Sequence, residues 1–355
     1  MIKVSSSPHV HSRQNTQSIM LFVILALCPS AIWGVFVFGL RALVVLAISI
    51  ASSVAAEYAL NLISKEKTLW DLTAVLTGLL IGMNMSPAVP LGIPVLASVF
   101  AIAVVKWTFG GVGCNWMNPA LGGRVFVFFS FSSAMSRFVL PSALGNADAV
   151  SSATTLSFAK TALSSGEFIG QNSLQILQTQ LYPVSRFAES LSNSTGINAY
   201  TIDAFFGLQG GCIGEVSALL LILGGLFLIA TKVITWHIPV VYAASYALLN
   251  WVFGGLPYGT GLFSGLVIDP LLRGGFLLGA IFMATDYVTT PVTRKGQVIF
   301  ACGCGLFTFI LRSFGSLAEG VSLAIIIMNI VTPTIDRYVR PKKFGYVKPV
   351  KGGAK

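Results

Sequence analysis

A glycine- and asparagine-rich segment carries side chains suited to bind a small polar ligand. Residues 110–120 read Gly-Gly-Val-Gly-Cys-Asn-Trp-Met-Asn-Pro-Ala. Glycine lets a ligand approach the backbone closely, and the amides of Asn115 and Asn118 offer both hydrogen-bond donors and acceptors. These groups match a ring edge on which carbonyl oxygens and an N–H alternate. The same residues are typical of a turn in which Asn118 caps a helix that begins at Pro119, and both interpretations are compatible.

A second segment places hydroxyl groups behind an acidic residue. Residues 148–156 read Asp-Ala-Val-Ser-Ser-Ala-Thr-Thr-Leu, and they lie in a polar stretch, 136–212, that is rich in Ser, Thr, Asn and Gln. A connection this long is usually functional or disordered. Taken alone, residues 148–156 are typical of a turn or of the N-cap of a following helix.

The composition argues for an all-helical, polytopic membrane protein. Of 355 residues, 55% are hydrophobic and only 10% are charged, and the mean hydropathy is +0.82. Soluble domains carry about 25% charged residues, so this surface cannot face water all round. The three His and five Cys lack the spacing of a zinc module, a disulfide scaffold or an iron–sulfur fold. The sequence therefore predicts no metal site.

Ten segments are candidate membrane helices, since a span needs roughly 20 apolar residues. They are residues 18–38, 42–63, 72–85, 91–105, 119–135, 216–234, 238–253, 274–285, 297–311 and 317–335. Several are short and interrupted by proline, notably by Pro87, Pro90 and Pro291. Broken helices of this kind are tolerated where they line a cavity enclosed by protein.

The two halves of the chain resemble each other. Residues 78–90 echo residues 279–291, which pairs Met83 with Met283, and the segment that begins at Lys106 echoes the one that begins at Arg312. Glycine-rich apolar helices can also resemble one another by composition alone. Because five helices, an odd number, fall in each half, we expect two inverted five-helix repeats. The expected units are an arm and first repeat (1–135), a loop (136–212), a second repeat (213–335) and a basic tail (336–355).

The net charge of +10 indicates orientation rather than binding to nucleic acid. With the N-terminus inside and ten alternating spans, most Lys and Arg fall on the cytoplasmic side, as short inner loops require. We therefore expect cytoplasmic termini, an extracytoplasmic 136–212 loop and no nucleic-acid partner.

Two acidic residues fall at membrane depth, where an ionisable side chain is a functional candidate by default. Asp286 follows the eighth span and could contact a ligand, line an ion path or cap a half-helix next to Arg294. Glu57 lies in the second span and could serve an ion path. A structural ion pair of Glu57 with Lys106 or Arg124 is the favoured interpretation.

The segment around Thr154 resembles the flavin-attachment motif Asp-x-x-Ser-Gly-Ala-Thr. Asp148, Ser151, Ala153 and Thr154 match, and Ser152 stands where the motif usually has the more permissive glycine. With the ten spans and the doubled plan, the chain resembles the family of the D subunit of the Rnf electron-transport complex. That family includes the B subunit of the sodium-pumping NADH:quinone oxidoreductase, and its repeats resemble the urea-transporter fold. The short N-terminal arm favours the Rnf branch.

The resemblance implies two flavins. A flavin transferase would join FMN through a phosphoester to the hydroxyl of Thr154, exposed on an adaptable segment, with Thr155 as the less favoured acceptor. Riboflavin would bind without a covalent bond beside Asn115 and Asn118, and Asp286 is a further candidate contact.

The resemblance also implies a role in a larger assembly. The chain would be a flavin-carrying subunit of an ion-translocating ferredoxin:NAD oxidoreductase in the bacterial cytoplasmic membrane, with no catalytic residue of its own. It would relay electrons between partner subunits, one of which carries its own covalent FMN, while the complex moves Na⁺ or H⁺. The alternatives are the quinone-reducing relative and a solute channel of the urea-transporter type, which does not need the Thr154 motif.

Overall fold

The computed structural model describes residues 15–65, 68–141, 153–164, 168, 170–315 and 319–340, and this part of the chain is helical. Its first half contains α1 (Thr16–Phe38), α2 (Leu40–Ser64), α3 (Thr73–Met83), α4 (Gly92–Phe100), α5 (Pro119–Ser130) and α6 (Ser132–Met135). The connecting stretch contains α7 (Thr155–Ser164), α8 (Ser173–Thr179), α9 (Arg186–Thr195) and α10 (Ala199–Phe206). The second half contains α11 (Ala218–Ala230), α12 (His237–Phe253), α13 (Ile268–Leu272), α14 (Phe276–Leu278), α15 (Arg294–Ser313) and α16 (Val321–Tyr338). π-helical turns extend α4 through Ala101–Trp107 and α14 through Gly279–Met283.

Four of the described helices are long and apolar enough to cross a membrane: α1, α2, α15 and α16. Further apolar helices, α3, α4 with its π turn, α5 and α11, are shorter. Large apolar side chains on the long helices point outward, among them Ile32, Phe36 and Leu62, which are 64–78% exposed. A contiguous exposed apolar surface of this kind suits lipid and not water. The chain is therefore a membrane protein.

The end of α3 is fixed by another segment, which donates hydrogen bonds to the carbonyl groups there. α3 stops at Met83, two residues before the predicted end, because the backbone N–H of Gly214 donates to the Met83 oxygen at 2.8 Å and that of Ile213 to the Met85 oxygen at 3.0 Å.

The fifth predicted span, 119–135, is wrong as one continuous helix. Its backbone leaves the helical conformation at Phe131 (φ −129°, ψ 45°), which separates α5 from α6.

The connecting stretch is more than a polar loop, because its described part folds into α7–α10 around a small core of its own. Leu177, Tyr182 and Tyr200 form this core. The Tyr200 hydroxyl donates to the carbonyl oxygens of Leu177 (3.0 Å) and Tyr182 (2.9 Å), and the Tyr182 hydroxyl donates to that of Ala153 (3.1 Å). Burial raises the pKa of Tyr182 to about 12. The core thus holds the start of α7 in place.

Candidate functional site

The end of α3 and the end of the π turn after α14 lie close together. Asn118 Nδ2 donates to the Met283 carbonyl oxygen at 3.2 Å, and Asn84 Nδ2 lies 3.7 Å from the Met283 sulfur. Gly214 is required at this junction because a Cβ there would lie 2.4 Å from the Cβ of Met83. Met83 and Met283, which the sequence comparison pairs, thus end two helices at one junction.

A cavity of about 110 Å³ opens beside this junction, and Asn115, Asn118 and Asp286 all line it. Most of the wall is apolar and comes from side chains of α1, α3, α11 and the π turn after α14: Ile19, Val23, Leu76, Leu80, Leu228 and Phe282. We call it the inner cavity. The three residues that the sequence nominates for the second flavin therefore share one cavity.

The two asparagines are fixed by their own hydrogen bonds. Asn118 Oδ1 accepts from the backbone N–H of Ala120 at 3.0 Å, so the predicted N-cap of α5 is confirmed. Asn115 Nδ2 donates to the Met117 carbonyl oxygen at 3.0 Å. The turn before them needs glycine, since Gly110 and Gly113 have φ values of +106° and +95°. The segment thus presents two oriented amides at the wall of the inner cavity.

Lys106 brings a charged group to the same wall. Its ammonium donates to the Glu57 carboxylate at 2.5 and 2.7 Å and to the Thr73 hydroxyl at 2.8 Å. The favoured prediction of an ion pair for Glu57 is confirmed, with Lys106 as its partner. Arg124, the other candidate, pairs with Glu319 instead.

Asp286 follows the π turn of the second half. The Thr289 hydroxyl donates to its Oδ2 at 3.3 Å, and the Thr290 hydroxyl donates to its backbone oxygen at 2.8 Å. Among the described residues, the ion pairs do not include one between Asp286 and Arg294. Asp286 instead lines the inner cavity.

Thr154 lies at the start of α7. Its Oγ1 accepts from the Ser157 backbone N–H at 3.2 Å, and its backbone oxygen accepts from the Phe158 N–H at 2.8 Å. The N-cap interpretation is therefore confirmed. The expectation of an exposed hydroxyl is wrong for this conformation: Thr154 is 4% exposed, because capping turns the side chain toward the helix. Asp148 and Ser151 lie outside the described residues, while Ala153 contacts Tyr182.

Thr154 lines one small space, together with Gln209, Gly211 and Glu215. A larger space of about 100 Å³ shares Leu156 with it. We call the larger one the outer cavity. Lys160 and Arg312 both line it, and Arg312 donates to the carbonyl oxygens of Arg273 (3.0 Å) and Gly274 (2.5 Å). The outer cavity thus contains two cationic groups, while the small space beside Thr154 is lined by the buried Glu215.

Comparison with known proteins identifies the family of this chain. A family model described as the NQR2, RnfD, RnfE family matches residues 3–345. The chain belongs to this family.

Its relatives match along nearly their whole length. It is 40% identical over 350 residues to the D subunit of the Na⁺-translocating ferredoxin:NAD⁺ oxidoreductase complex of Acetobacterium woodii, an alignment that covers 98% of this chain and 96% of that protein. It is 41% identical over 343 residues to the D subunit of the proton-translocating ferredoxin:NAD⁺ oxidoreductase complex of Clostridium ljungdahlii, with 96% of each chain covered. The D subunit of an ion-translocating oxidoreductase complex of Stutzerimonas stutzeri is 39% identical over 341 residues, which cover 94% of this chain and 93% of that protein.

Sequence reasoning misses Lys106 and Arg312 as residues of the two cavities. A signal is present, because these two cations begin the echoed segments of the two halves. What the pattern does not contain is the direction in which each side chain points.

Proposed function

We propose that this chain is the flavin-carrying D-type subunit of an ion-translocating ferredoxin:NAD⁺ oxidoreductase. The near full-length similarity to subunits of that name supports the assembly. The flavin part rests on one observation: Asn115, Asn118 and Asp286, which come from distant parts of the chain, line a single apolar cavity.

The inner cavity is the proposed site of a non-covalent riboflavin. Its apolar wall suits the hydrocarbon edge of the ring system, and the amides of Asn115 and Asn118 suit the carbonyl and N–H groups of the opposite edge. Lys106 is neutralised by Glu57, so the wall carries little uncompensated positive charge. That balance fits a ligand without a phosphate group.

Thr154 is the proposed acceptor of a covalent FMN. The N-terminus of α7 favours an anionic group at this position because its backbone N–H groups and the helix dipole point toward it. Arg312 and Lys160 in the adjoining outer cavity add positive charge. A flavin at either place supplies the electron-transfer chemistry, and the chain supplies position and electrostatics.

For attachment, the Thr154 side chain must leave its capping position. A cap contributes about 0.5–2 kcal/mol, so exposing this hydroxyl costs little compared with unfolding a domain. The transferase therefore needs only a local opening at the start of α7.

The repeat architecture belongs to the same proposal. The pairs α1 and α11, α3 and α14, and α5 and α16 begin 202 or 203 residues apart in the chain. This constant spacing supports two five-helix repeats, inverted because each contains an odd number of helices. Both termini would lie in the cytoplasm of a bacterium and residues 136–212 outside its inner membrane.

Other subunits of the complex would be the partners. No Gly-rich strand-to-helix nucleotide motif is present in the sequence, so NAD⁺ and ferredoxin would bind elsewhere in the assembly. A flavin transferase would act on Thr154, and a second subunit with covalent FMN would exchange electrons with it.

Peptide mass spectrometry tests the proposal. Trypsin should release residues 138–160 as one peptide, because Arg137 and Lys160 bound a stretch without Lys or Arg. In the native complex we expect this peptide to be heavier by one FMN less one water, with the mass on Thr154. An unmodified peptide from cells with an active flavin transferase would favour a solute channel with the same repeats.

A further inference from the structure

A second polar cluster lies next to the small space beside Thr154, because Glu215 lines that space as well. Arg124 on α5 is its centre: one nitrogen donates to Asn84 Oδ1 (3.0 Å) and Ser322 Oγ (2.6 Å), and the other to Glu319 Oε2 (2.6 Å). The sulfur of Cys212 lies 3.9 Å from the same guanidinium. All of these groups are largely buried.

Glu215 adds a second carboxylate to the cluster. Its Oε1 accepts from the backbone N–H of Cys212 at 2.9 Å, and the residue is 5% exposed. One ligand atom each from Cys212, Glu215 and Glu319 lies within 4.8 Å of the others. Three potential donors from two distant parts of the chain therefore converge on one point.

Two of the carboxylate oxygens have no hydrogen-bond partner. Glu215 Oε2 and Glu319 Oε1 are both buried and unpaired within the described part of the chain. Gly275 leaves room for the first of them, because a Cβ at that position would lie 2.5 Å from Glu215 Oε2. A buried oxygen without a partner is costly, and a charged one more so. The fold maintains one such oxygen on each of the two glutamates.

The charges of the cluster indicate which kind of ligand would neutralise it. When both carboxylates are ionised, they contribute two negative charges against the one positive charge of Arg124, which leaves one negative charge in a buried place. A single positive charge restores neutrality, and carboxylate oxygens are ligands for hard cations. Two buried carboxylate oxygens without partners fit a coordinated ion better than a proton, which needs only one of them.

We propose that Glu215 and Glu319, with the Cys212 sulfur beside them, bind one monovalent metal cation of the Na⁺ class. The site joins residues 212–215, just before α11, to Glu319, just before α16, while its counter-charge, Arg124, comes from the first half. Binding there links the starts of two helices of the second half through one ion. The inference goes beyond the flavin assignment and does not depend on it.

Binding of ²²Na⁺ to the purified, detergent-solubilised complex tests this site. We expect Glu215→Gln and Glu319→Gln each to lose one equivalent of bound Na⁺ per complex relative to wild type. Glu189→Gln is the matched control, since Glu189 is an exposed glutamate on α9, and it should bind as wild type does. Elution of each variant as an intact complex on size exclusion shows that the lost equivalent does not reflect misfolding.

The outcomes separate this inference from the proposed function. Equal Na⁺ binding in wild type and both glutamine variants would overturn the cation site. It would also be overturned if Ca²⁺ or Zn²⁺ displaced this Na⁺ from the wild-type complex in preference to other monovalent cations. Cys212→Ser replaces a soft donor with a hard one, so its Tl⁺-to-Na⁺ affinity ratio should fall. An unchanged ratio would remove Cys212 from the site. None of these readouts requires a flavin on Thr154.

Discussion

The two cavities carry a cation at matching places in the sequence but handle its charge differently. Lys106 and Arg312 begin the echoed segments of the two halves, and each lines one cavity. Lys106 is neutralised by Glu57 at 2.5 Å. Arg312 donates to backbone carbonyl oxygens and to the Tyr246 hydroxyl, and among the described residues it forms no ion pair with a carboxylate.

This difference shows how one repeated unit can serve two kinds of ligand. A cation paired with a carboxylate contributes little net field, whereas a cation held by neutral oxygens keeps its charge and attracts anions. The proposed uncharged flavin therefore suits the inner cavity, and the phosphate group of the proposed FMN suits the outer cavity near Thr154.

The two sites also differ in how much structure they need. The inner cavity depends on contacts between distant segments, such as Asn118 with the Met283 carbonyl group. Thr154 is positioned by its neighbours Ser157 and Phe158. A non-covalent ligand needs a preformed cavity, while a covalent one needs a single accessible oxygen.

The largest expected effect is on the covalent site. Thr154→Ala should abolish the fluorescent flavin band on a denaturing gel, because no acceptor oxygen remains. Thr155→Ala is the matched control, an equally buried neighbour, and should keep the band. Covalent flavin retained by the Thr154→Ala variant would show that another residue is the acceptor.

The next effect is on the inner cavity. Glu57→Gln leaves the Lys106 charge buried and unpaired, which should cost about 3–5 kcal/mol of stability. Non-covalent flavin should be lost as well, while the covalent band remains. Thermal unfolding of the purified complex measures the change, and adding Lys106→Met should recover much of it. A double variant no more stable than Glu57→Gln would contradict the ion-pair account.

A smaller effect is expected from removing the uncompensated charge. Arg312→Gln should lower the covalent flavin per chain without abolishing it, because Lys160 and the α7 N-terminus remain. Arg312→Lys keeps the charge and should recover flavin attachment in part. In-gel fluorescence normalised to protein measures the covalent flavin per chain. Full attachment in Arg312→Gln would show that the outer cavity does not contribute to the FMN site.

The smallest effect separates the two roles of Asn118. Asn118→Ala removes the α5 cap at about 0.5–2 kcal/mol and also removes the bond to Met283. Asn118→Asp keeps an oxygen for the Ala120 N–H but loses the amide donor. We expect near wild-type stability for the aspartate variant and weaker flavin retention in both. Normal retention in Asn118→Asp would show that the link between the halves does not shape the cavity.

Local patterns in the sequence predict much of this structure. The N-caps at Asn118 and Thr154 follow from residue type and position, and the Glu57–Lys106 pair follows from the cost of an unpaired charge among apolar residues. The apolar segments indicate the helices and their approximate ends.

Features that depend on tertiary packing cannot be predicted from the sequence. Glu215 and Glu319 lie far apart in the chain, and nothing in their spacing shows that they converge beside Arg124. The helices in 136–212 are short and mostly polar on the surface, so their small core around Tyr200 is also missed. The end of α3 depends on the backbone of Gly214, which belongs to another segment.

The central claim is that one chain holds two flavins in two different ways, and the partition of flavin on denaturation tests it most directly. Purified complex is denatured, this chain is separated, and flavin is measured both on residues 138–160 and in the released fraction. The account predicts one covalent FMN on wild-type chain and a released riboflavin that persists in Thr154→Ala but falls in Glu57→Gln. A chain with no flavin on that peptide, and a released fraction unchanged by Glu57→Gln, would contradict it.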